Sequence, residues 1–144
     1  MKAYAGGLQY SWSDAMRRSI LSLLLLVVSA GAAAEWAEVG ADQIGTSYAD
    51  PVTLTKAGDI VKMRDLVDFK AVQSRPYGTP FLSQRRLQEH DCGNRRSRVV
   101  ELLRYSENMG QGDEAPVDVD PEKWEPVAPG TAGEVLWTFA CGKR

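Results

Sequence analysis

Apolar and polar residues alternate along much of the chain, in short runs that Gly, Pro, Asp and Asn interrupt at strand-like intervals. The clearest run is 59–70, where a period of two places four apolar side chains on one face: Val61, Met63, Val67 and Phe69. Asp65 breaks this face and indicates a bulge or an edge position. Shorter strands are predicted for Trp36–Gly40 and Gly45–Ala49. The pattern as a whole predicts an antiparallel sheet.

A hairpin is predicted next, with strands Leu82–Cys92 and Arg95–Ser106 joined by Gly93-Asn94, a dipeptide suited to a two-residue turn of the primed types. The register that follows opposes five pairs: Asp91 with Arg96, Glu89 with Arg98, Arg86 with Glu101, Leu87 with Val100 and Leu82 with Tyr105. It gathers five side chains on one face, which the element carrying Cys141 should cover: Leu82, Cys92, Val99, Leu103 and Tyr105. A helix over 95–105 is the competing interpretation.

The C-terminal part of the sequence predicts a loop followed by a helix. Residues 109–129 are rich in Gly, Asp, Glu and Pro, which indicates mostly loop with one edge strand. Thr131 and Glu134 have the spacing of a capping box, and a helical stripe follows it: Val135, Leu136, Phe139 and Ala140. A helix this short is only marginally stable in isolation, and it must therefore pack on the sheet. The predicted class is therefore α+β, a small mainly antiparallel sheet with a short C-terminal helix.

The N-terminal segment 1–34 has the order of a secretory signal peptide. An uncharged, leucine-rich run, Ile20–Val28, lies between Arg17-Arg18 and the small residues Ala32-Ala33-Ala34. We expect cleavage after Ala34, and Met16 is a candidate for the true start. A membrane anchor is the alternative, but the uncharged stretch has only 16 residues, 19–34, where a span needs about 20. No cysteine follows the run closely, so a lipoprotein anchor is not expected. The mature chain is predicted to be a single domain, 35–144, without a membrane span.

Export would place the only two cysteines, Cys92 and Cys141, in an oxidising compartment, where they can pair. Such a bridge would tether the C-terminal helix to the sheet and stabilise the fold by about 4 kcal/mol in the chain-entropy model. The alternative is a redox or nucleophilic thiol, but the spacing is not CxxC. The sequence therefore favours a structural disulfide.

Charge argues against nucleic acid as a partner. Without segment 1–34, which carries three basic residues and one acidic residue, the chain has 14 basic and 18 acidic side chains and a formal charge of −4. The most conspicuous basic feature is the arginine-rich hairpin. Its predicted register leaves three arginines without a facing carboxylate, which makes them a candidate basic binding patch: Arg85, Arg95 and Arg104. The alternative is a solvated, cross-paired sheet surface.

Catalytic chemistry is sparse in this sequence. His90 is the only histidine, which removes any multi-histidine metal site. His90 and Cys92 share a strand face and would suit a base and nucleophile, but the predicted bridge uses the thiol, and a surface histidine is favoured. Gly110 and Gly112 lack the strand and helix that a phosphate-binding motif needs. The sequence therefore predicts no catalytic residue, no metal site and no cofactor, and hence no enzyme.

Several ordered blocks resemble the surface-adhesin protein E family over nearly all of the mature chain. The blocks are EWAEVG at 35–40, GDIVKMRDLVDFK at 58–70, EHDC at 89–92, LLRYSENMGQG at 102–112 and VAPGTAGEVLWTFAC at 127–141. The resemblance implies a small antiparallel sheet, a C-terminal helix tethered by a disulfide, and a tendency to form homodimers. It also implies a bacterial adhesin that binds host matrix proteins such as vitronectin and laminin, although no short motif carries that binding.

Two functional hypotheses follow. The first is an exported, non-enzymatic binding module of the bacterial cell envelope, acting as a surface adhesin for host matrix proteins. The second is a soluble periplasmic structural or assembly protein whose partner is another envelope protein, because edge strands can accept a partner strand. Both place the protein in the periplasm or at the cell surface.

Overall fold

The computed structural model describes residues 36–76 and 78–142. Their strands form one sheet, built of β1 (Ala37–Ala41), β2 (Gly45–Ala57), β3 (Ile60–Gln73), β4 (Phe81–Asp91), β5 (Arg96–Tyr105), β6 (Glu114–Val117) and β7 (Glu125–Pro126). The order across the sheet is β1-β2-β3-β4-β5-β6, every pairing is antiparallel, and β7 pairs with β5. One helix, α1 (Ala132–Gly142), follows the strands. The predicted fold class is confirmed.

The predicted signal peptide at 1–34, the cleavage after Ala34 and the start at Met16 lie outside the described residues. Within the described part of the chain, no helix has the length and apolar character needed to cross a membrane.

The predicted hairpin exists, but its register changes along its length. Asp91 opposes Arg96 and Glu89 opposes Arg98, as predicted. Beyond them Val100 is an extra residue in β5, because Gln88 opposes Val99 whereas Leu87 opposes Glu101. Three predicted pairs are therefore wrong: Arg86 opposes Leu102 rather than Glu101, Leu87 does not oppose Val100, and Ser83 rather than Leu82 opposes Tyr105.

The bulge at Val100 also divides the residues that we expected on one face. Opposed residues share a face, so Val99, opposite Gln88, lies on the same face as Met63. Leu103 and Tyr105 oppose Arg85 and Ser83 and lie on the other face. We call the face that α1 covers the helix face and the other one the opposite face. The prediction that Leu103 and Tyr105 lie with Cys92 and Val99 under the helix is wrong.

The turn of this hairpin is longer than the predicted two-residue turn. It spans residues 92–95, and its only residue with positive φ is Arg95, at 49°. A primed turn would need positive φ at Gly93 or Asn94. Instead, the backbone N–H groups of Gly93 and Asn94 both donate to Asp91 Oδ1, at 3.1 and 3.0 Å. The carboxylate of Asp91 therefore holds the turn in another conformation.

The stretch from Met109 to Pro129 contains β6 and the two-residue β7 rather than one edge strand. Before β6, a 3₁₀ turn, Asn108–Gly110, lies over the opposite face. Backbone N–H groups of this turn donate to side chains of the sheet, from Met109 to Asp68 Oδ1 at 2.6 Å and from Gly110 to Ser83 Oγ at 2.8 Å.

The helix begins as the capping box predicts, with one difference. The N–H of Glu134 donates to Thr131 Oγ1 at 3.3 Å, but the Glu134 carboxylate accepts from the N–H of Gly130 at 2.7 Å. Leu136 and Ala140 are buried against Ala49, Val61 and Met63 and form the core with them. Part of the amphipathic stripe is therefore placed as predicted.

A disulfide joins Cys92, next to the end of β4, to Cys141 in the last turn of α1, with the two Cα atoms 5.6 Å apart. Cys92 also packs against the core, and its N–H donates to the carbonyl of Asp59 at 2.9 Å. The predicted tether between helix and sheet is confirmed, so neither cysteine carries a free thiol.

Candidate binding surface

The three arginines of the predicted basic patch lie in three separate places. Arg104 opposes Gln84 on the helix face, whereas Arg85 opposes Leu103 on the opposite face. Arg95 lies in the hairpin turn, about 25–30 Å from Arg104 along the strand. The structure therefore does not bring Arg85, Arg95 and Arg104 together in one patch.

Two of the three arginines have partners that the sequence did not reveal. Arg95 forms an ion pair with Glu134 and lies over the Trp137 ring, 5.0 Å from its centroid. Arg85 Nη2 donates to the carbonyl of Gly110 at 3.0 Å, and its guanidinium lies 4.7 Å from the Tyr105 ring centroid. The expectation that Arg95 lacks a carboxylate is wrong, because the helix start lies beside the hairpin turn.

A different set of side chains forms an ordered cluster at the turn end of the opposite face. Two guanidinium groups contact the ring of Trp124, with the Cζ of Arg96 4.8 Å and that of Arg98 4.7 Å from the ring centroid. β7 brings Trp124 there, because Pro126 opposes Arg96 and Glu125 opposes Ser97. We call Arg96, Arg98 and Trp124 the arginine–tryptophan cluster.

Carboxylates of the neighbouring strand fix the two arginines of this cluster. Arg96 Nε donates to Asp91 Oδ2 at 2.9 Å, and Arg98 Nη2 lies 2.7 Å from Glu89 Oε2. Hydrogen bonds from Asn94, and then from Arg96, lower the pKa of Asp91 to about 2. Asp91 is therefore charged across the physiological pH range, and the cluster needs no change of protonation to form.

The cluster still has binding capacity towards solvent. The Arg96 side chain is 43% exposed, and only its Nε is hydrogen-bonded within the described residues. Both terminal nitrogens of Arg96 therefore have donors that a partner can use. Arginine and tryptophan are enriched among the residues that contribute most to binding at protein interfaces. The ordered cluster is thus the surface feature best suited to recognition.

Asp65 is fully buried in the middle of the sheet, between Ala49 on β2 and Arg86 on β4. Arg86 Nε donates to Asp65 Oδ1 at 2.7 Å, and Gln88 Nε2 donates to Oδ2 at 2.6 Å. Burial raises the pKa of Asp65, although Arg86 and Gln88 oppose this effect. The predicted bulge or edge position is wrong, because partner side chains on β4 satisfy the carboxylate inside the sheet.

His90 is also fully buried, so the expected surface histidine is wrong. Its Nδ1 lies 2.8 Å from Ser97 Oγ, and its buried Nε2 has no hydrogen-bond partner within the described residues. Burial, with the nearby charge of Arg86, lowers the pKa of His90 to about 4. The histidine is therefore neutral at physiological pH and part of the packed interior.

In residues 36–76 and 78–142, no three His, Cys, Asp or Glu side chains lie close enough together to hold a metal ion.

Sequence reasoning missed the arginine–tryptophan cluster. The only signal was the i, i+2 spacing of Arg96 and Arg98, which puts both on one strand face. Nothing local indicated that Trp124 would return to that face, because β7 has only two residues.

A family model described as Surface-adhesin protein E matches residues 36–142. Three solved structures of Haemophilus influenzae protein E resemble the fold. One shares 18% identity with a TM-score of 0.57 and covers 74% of this chain and 83% of that chain. A second crystal form shares 19% identity with a TM-score of 0.55, and it covers 67% of this chain and 80% of that chain. The protein from the non-typeable organism shares 18% identity, TM-score 0.55, covering 74% and 75%. No curated protein sequence matches the chain.

Proposed function

Because the chain belongs to the surface-adhesin protein E family, we propose that it is an exported, non-enzymatic binding module of the bacterial cell envelope. It acts as a surface adhesin, and its partners are host matrix proteins of the kind that the family resemblance implies. The observation that carries this proposal is the arginine–tryptophan cluster, which presents a partly exposed Arg96 on a sheet ordered by ion pairs. Because these side chains are already ordered, little conformational entropy is lost when a partner binds there.

The disulfide supports the proposed location. Disulfides persist in oxidising compartments and are rare in the bacterial cytosol, and Cys92–Cys141 holds the helix on the sheet. We place the protein in the periplasm or at the cell surface, after cleavage of segment 1–34. Mass spectrometry of protein recovered from the envelope tests this. An N-terminus at Glu35 and the absence of free thiols are expected, whereas an intact leader contradicts the proposal.

Solid-phase binding to immobilised vitronectin and laminin tests the adhesin function. The protein should bind at least one of them saturably, and Trp124→Ala should weaken binding about tenfold or more, as truncation of an interface hot spot does. Lys56→Gln is the matched control, because Lys56 is exposed and lies outside the cluster. Absence of saturable binding by the unmodified protein removes the adhesin function, and equal binding by Trp124→Ala removes the cluster from it.

A second candidate function is a periplasmic structural or assembly role, with another envelope protein as partner. It is favoured by the edge of β2 beyond residues 46–49, which has no paired strand within the described residues and where Val52 is 83% exposed. An extended segment of a partner can add to such an edge. Release by osmotic shock without surface labelling favours this role over the adhesin. Light scattering of the purified protein tests the homodimer that the family resemblance implies.

A further inference from the structure

Arg85 and Arg104 of the predicted patch both lack a carboxylate partner within the described residues. Arg85 donates to the carbonyl of Gly110 instead, which leaves Arg104 the more isolated of the two. Its guanidinium lies over the Phe81 ring, 4.4 Å from the centroid, and its buried Nε has no acceptor among residues 36–76 and 78–142. Unpartnered buried N–H groups are rare in folded proteins, and this one needs an explanation.

The surroundings of Arg104 increase the free-energy cost of keeping its charge without a counter-ion. Burial lowers the pKa of Arg104, and the positive charge of nearby Arg75 lowers it further. Arginine nevertheless stays charged at any physiological pH. Arg75 is exposed and forms no ion pair with the described carboxylates. Two cations therefore lie near each other, and neither is paired with a carboxylate of the described part of the chain.

A groove of about 530 Å³ opens over Arg104, between residues 78–81 and β6. Apolar side chains contribute much of its lining: Pro80, Phe81, Pro116 and Val117. A charge-assisted hydrogen bond is stronger beside such apolar surface than in bulk water. The groove thus places a cation without a counter-ion beside apolar walls. These walls can contact the apolar groups that flank an anion.

The acidic residues of the groove restrict which anion fits. Asp113 and Asp118 also line it, and Glu114 accepts a hydrogen bond from Tyr105 at 2.6 Å. These carboxylates repel a chain that carries many negative charges, such as a nucleic acid or a sulfated glycan. A single carboxylate with apolar neighbours experiences less of this repulsion and can still pair with Arg104.

We infer that the groove binds one Asp or Glu side chain of an extended, otherwise apolar segment of a partner protein. Arg104 is its counter-ion, and Arg75 raises the local positive potential. This site lies at the β6 edge of the sheet, with Arg104 on the helix face, apart from the arginine–tryptophan cluster on the opposite face. The protein thereby gains a second surface for a second partner.

The probe is an acetylated, amidated hexapeptide with one glutamate among leucine and proline residues, together with a twin that has glutamine instead. Both are titrated into the 15N-labelled protein and followed by NMR. The glutamate peptide should shift the amide signals of Phe81, Ala115 and Val117 saturably. The twin should bind about tenfold more weakly, because it lacks the charge-assisted bond. Equal binding of the two peptides to the unmodified protein overturns the inference. So do amide shifts that are confined to residues outside the groove.

Substitutions then assign the site. Arg104→Gln should weaken binding of the glutamate peptide about tenfold or more, and Arg75→Gln about two- to threefold through the loss of a screened charge. Arg64→Gln is the matched control, because Arg64 is exposed on the opposite face, and it should change nothing. Unchanged binding by a folded Arg104→Gln variant overturns the inference. Inorganic sulfate that binds as tightly as the glutamate peptide and displaces it also overturns the inference, since the groove would then be a simple anion site. The titration involves no matrix protein, so its outcome is independent of the test of the proposed function.

Discussion

The guanidinium of Arg86 lies 2.7 Å from the carboxylate of Asp65 across two neighbouring strands, and the carboxylate is fully buried. Only the arginine of this pair is partly exposed to solvent, with 19% of its side chain accessible. A buried pair of this kind contributes little net stability, but removing one partner leaves the other charge unpaired in the interior.

Replacement of Asp65 should therefore be strongly destabilising. We expect Asp65→Leu to lower the free energy of unfolding by about 3–5 kcal/mol, because Arg86 and Gln88 lose their acceptor. The double variant Asp65→Leu with Arg86→Leu should recover part of this loss. Urea unfolding of the two variants and the unmodified protein measures both effects. A loss below about 1 kcal/mol in the single variant would contradict this account.

Acid should destabilise the protein through His90. Its pKa is about 4 in the folded state against 6.5 for an ordinary histidine. The unfolded chain therefore binds the proton first, and stability falls as the pH drops from above 6.5 towards 4. Linkage gives a loss of about 2 kcal/mol between pH 7.5 and 5. Unfolding measured at several pH values should show this slope, and a folded His90→Gln variant should lack it. An equal slope in both proteins would assign the effect to other groups.

Loss of the disulfide should weaken the fold without changing its topology. We expect the double variant Cys92→Ser and Cys141→Ser to lose about 2–4 kcal/mol of unfolding free energy, mainly because its unfolded chain is less constrained. Reduction of the unmodified protein is the control and should cost a similar amount. Denaturant midpoints under oxidising and reducing conditions provide the measurement. A reduced protein as stable as the oxidised one would refute the prediction.

Gly110 and Gly58 offer a matched pair of glycines with positive φ, 68° and 61°. A Cβ at Gly110 would lie 2.5 Å from Arg85 Nε, whereas one at Gly58 meets nothing within 4 Å. Both Ala substitutions cost about 1 kcal/mol of backbone strain. Gly110→Ala should cost at least about 1–2 kcal/mol more, because it overpacks against Arg85. Equal losses in thermal unfolding would show that Arg85 moves aside freely.

Much of the fold could be predicted because its signals are local. The period of two in residues 60–69 and the capping residues Thr131 and Glu134 each fix one element. The bulge at Val100 could not be read, because the choice between two registers depends on which side chains the helix covers. The burial of Asp65 inside the sheet could not be predicted for a related reason. Its partner Arg86 is 21 positions away in sequence, and only the sheet register brings the two together.

The candidate sites were less predictable than the fold. Composition identified the arginine-rich hairpin, but the compensation of each arginine depends on distant residues such as Glu134 for Arg95. Arg104 faces Gln84 rather than a carboxylate across the hairpin, but the groove above it needs β6 and residues 78–81 together.

The link between Cys92 and Cys141 also fixes how the molecule carries mechanical load. Tension applied beyond Cys141 passes through a covalent bond directly into β4, near the middle of the sheet. The helix is bypassed and does not unravel turn by turn. Such tension would act on the pairing of β4 with β3 and β5, while α1 stays on the sheet.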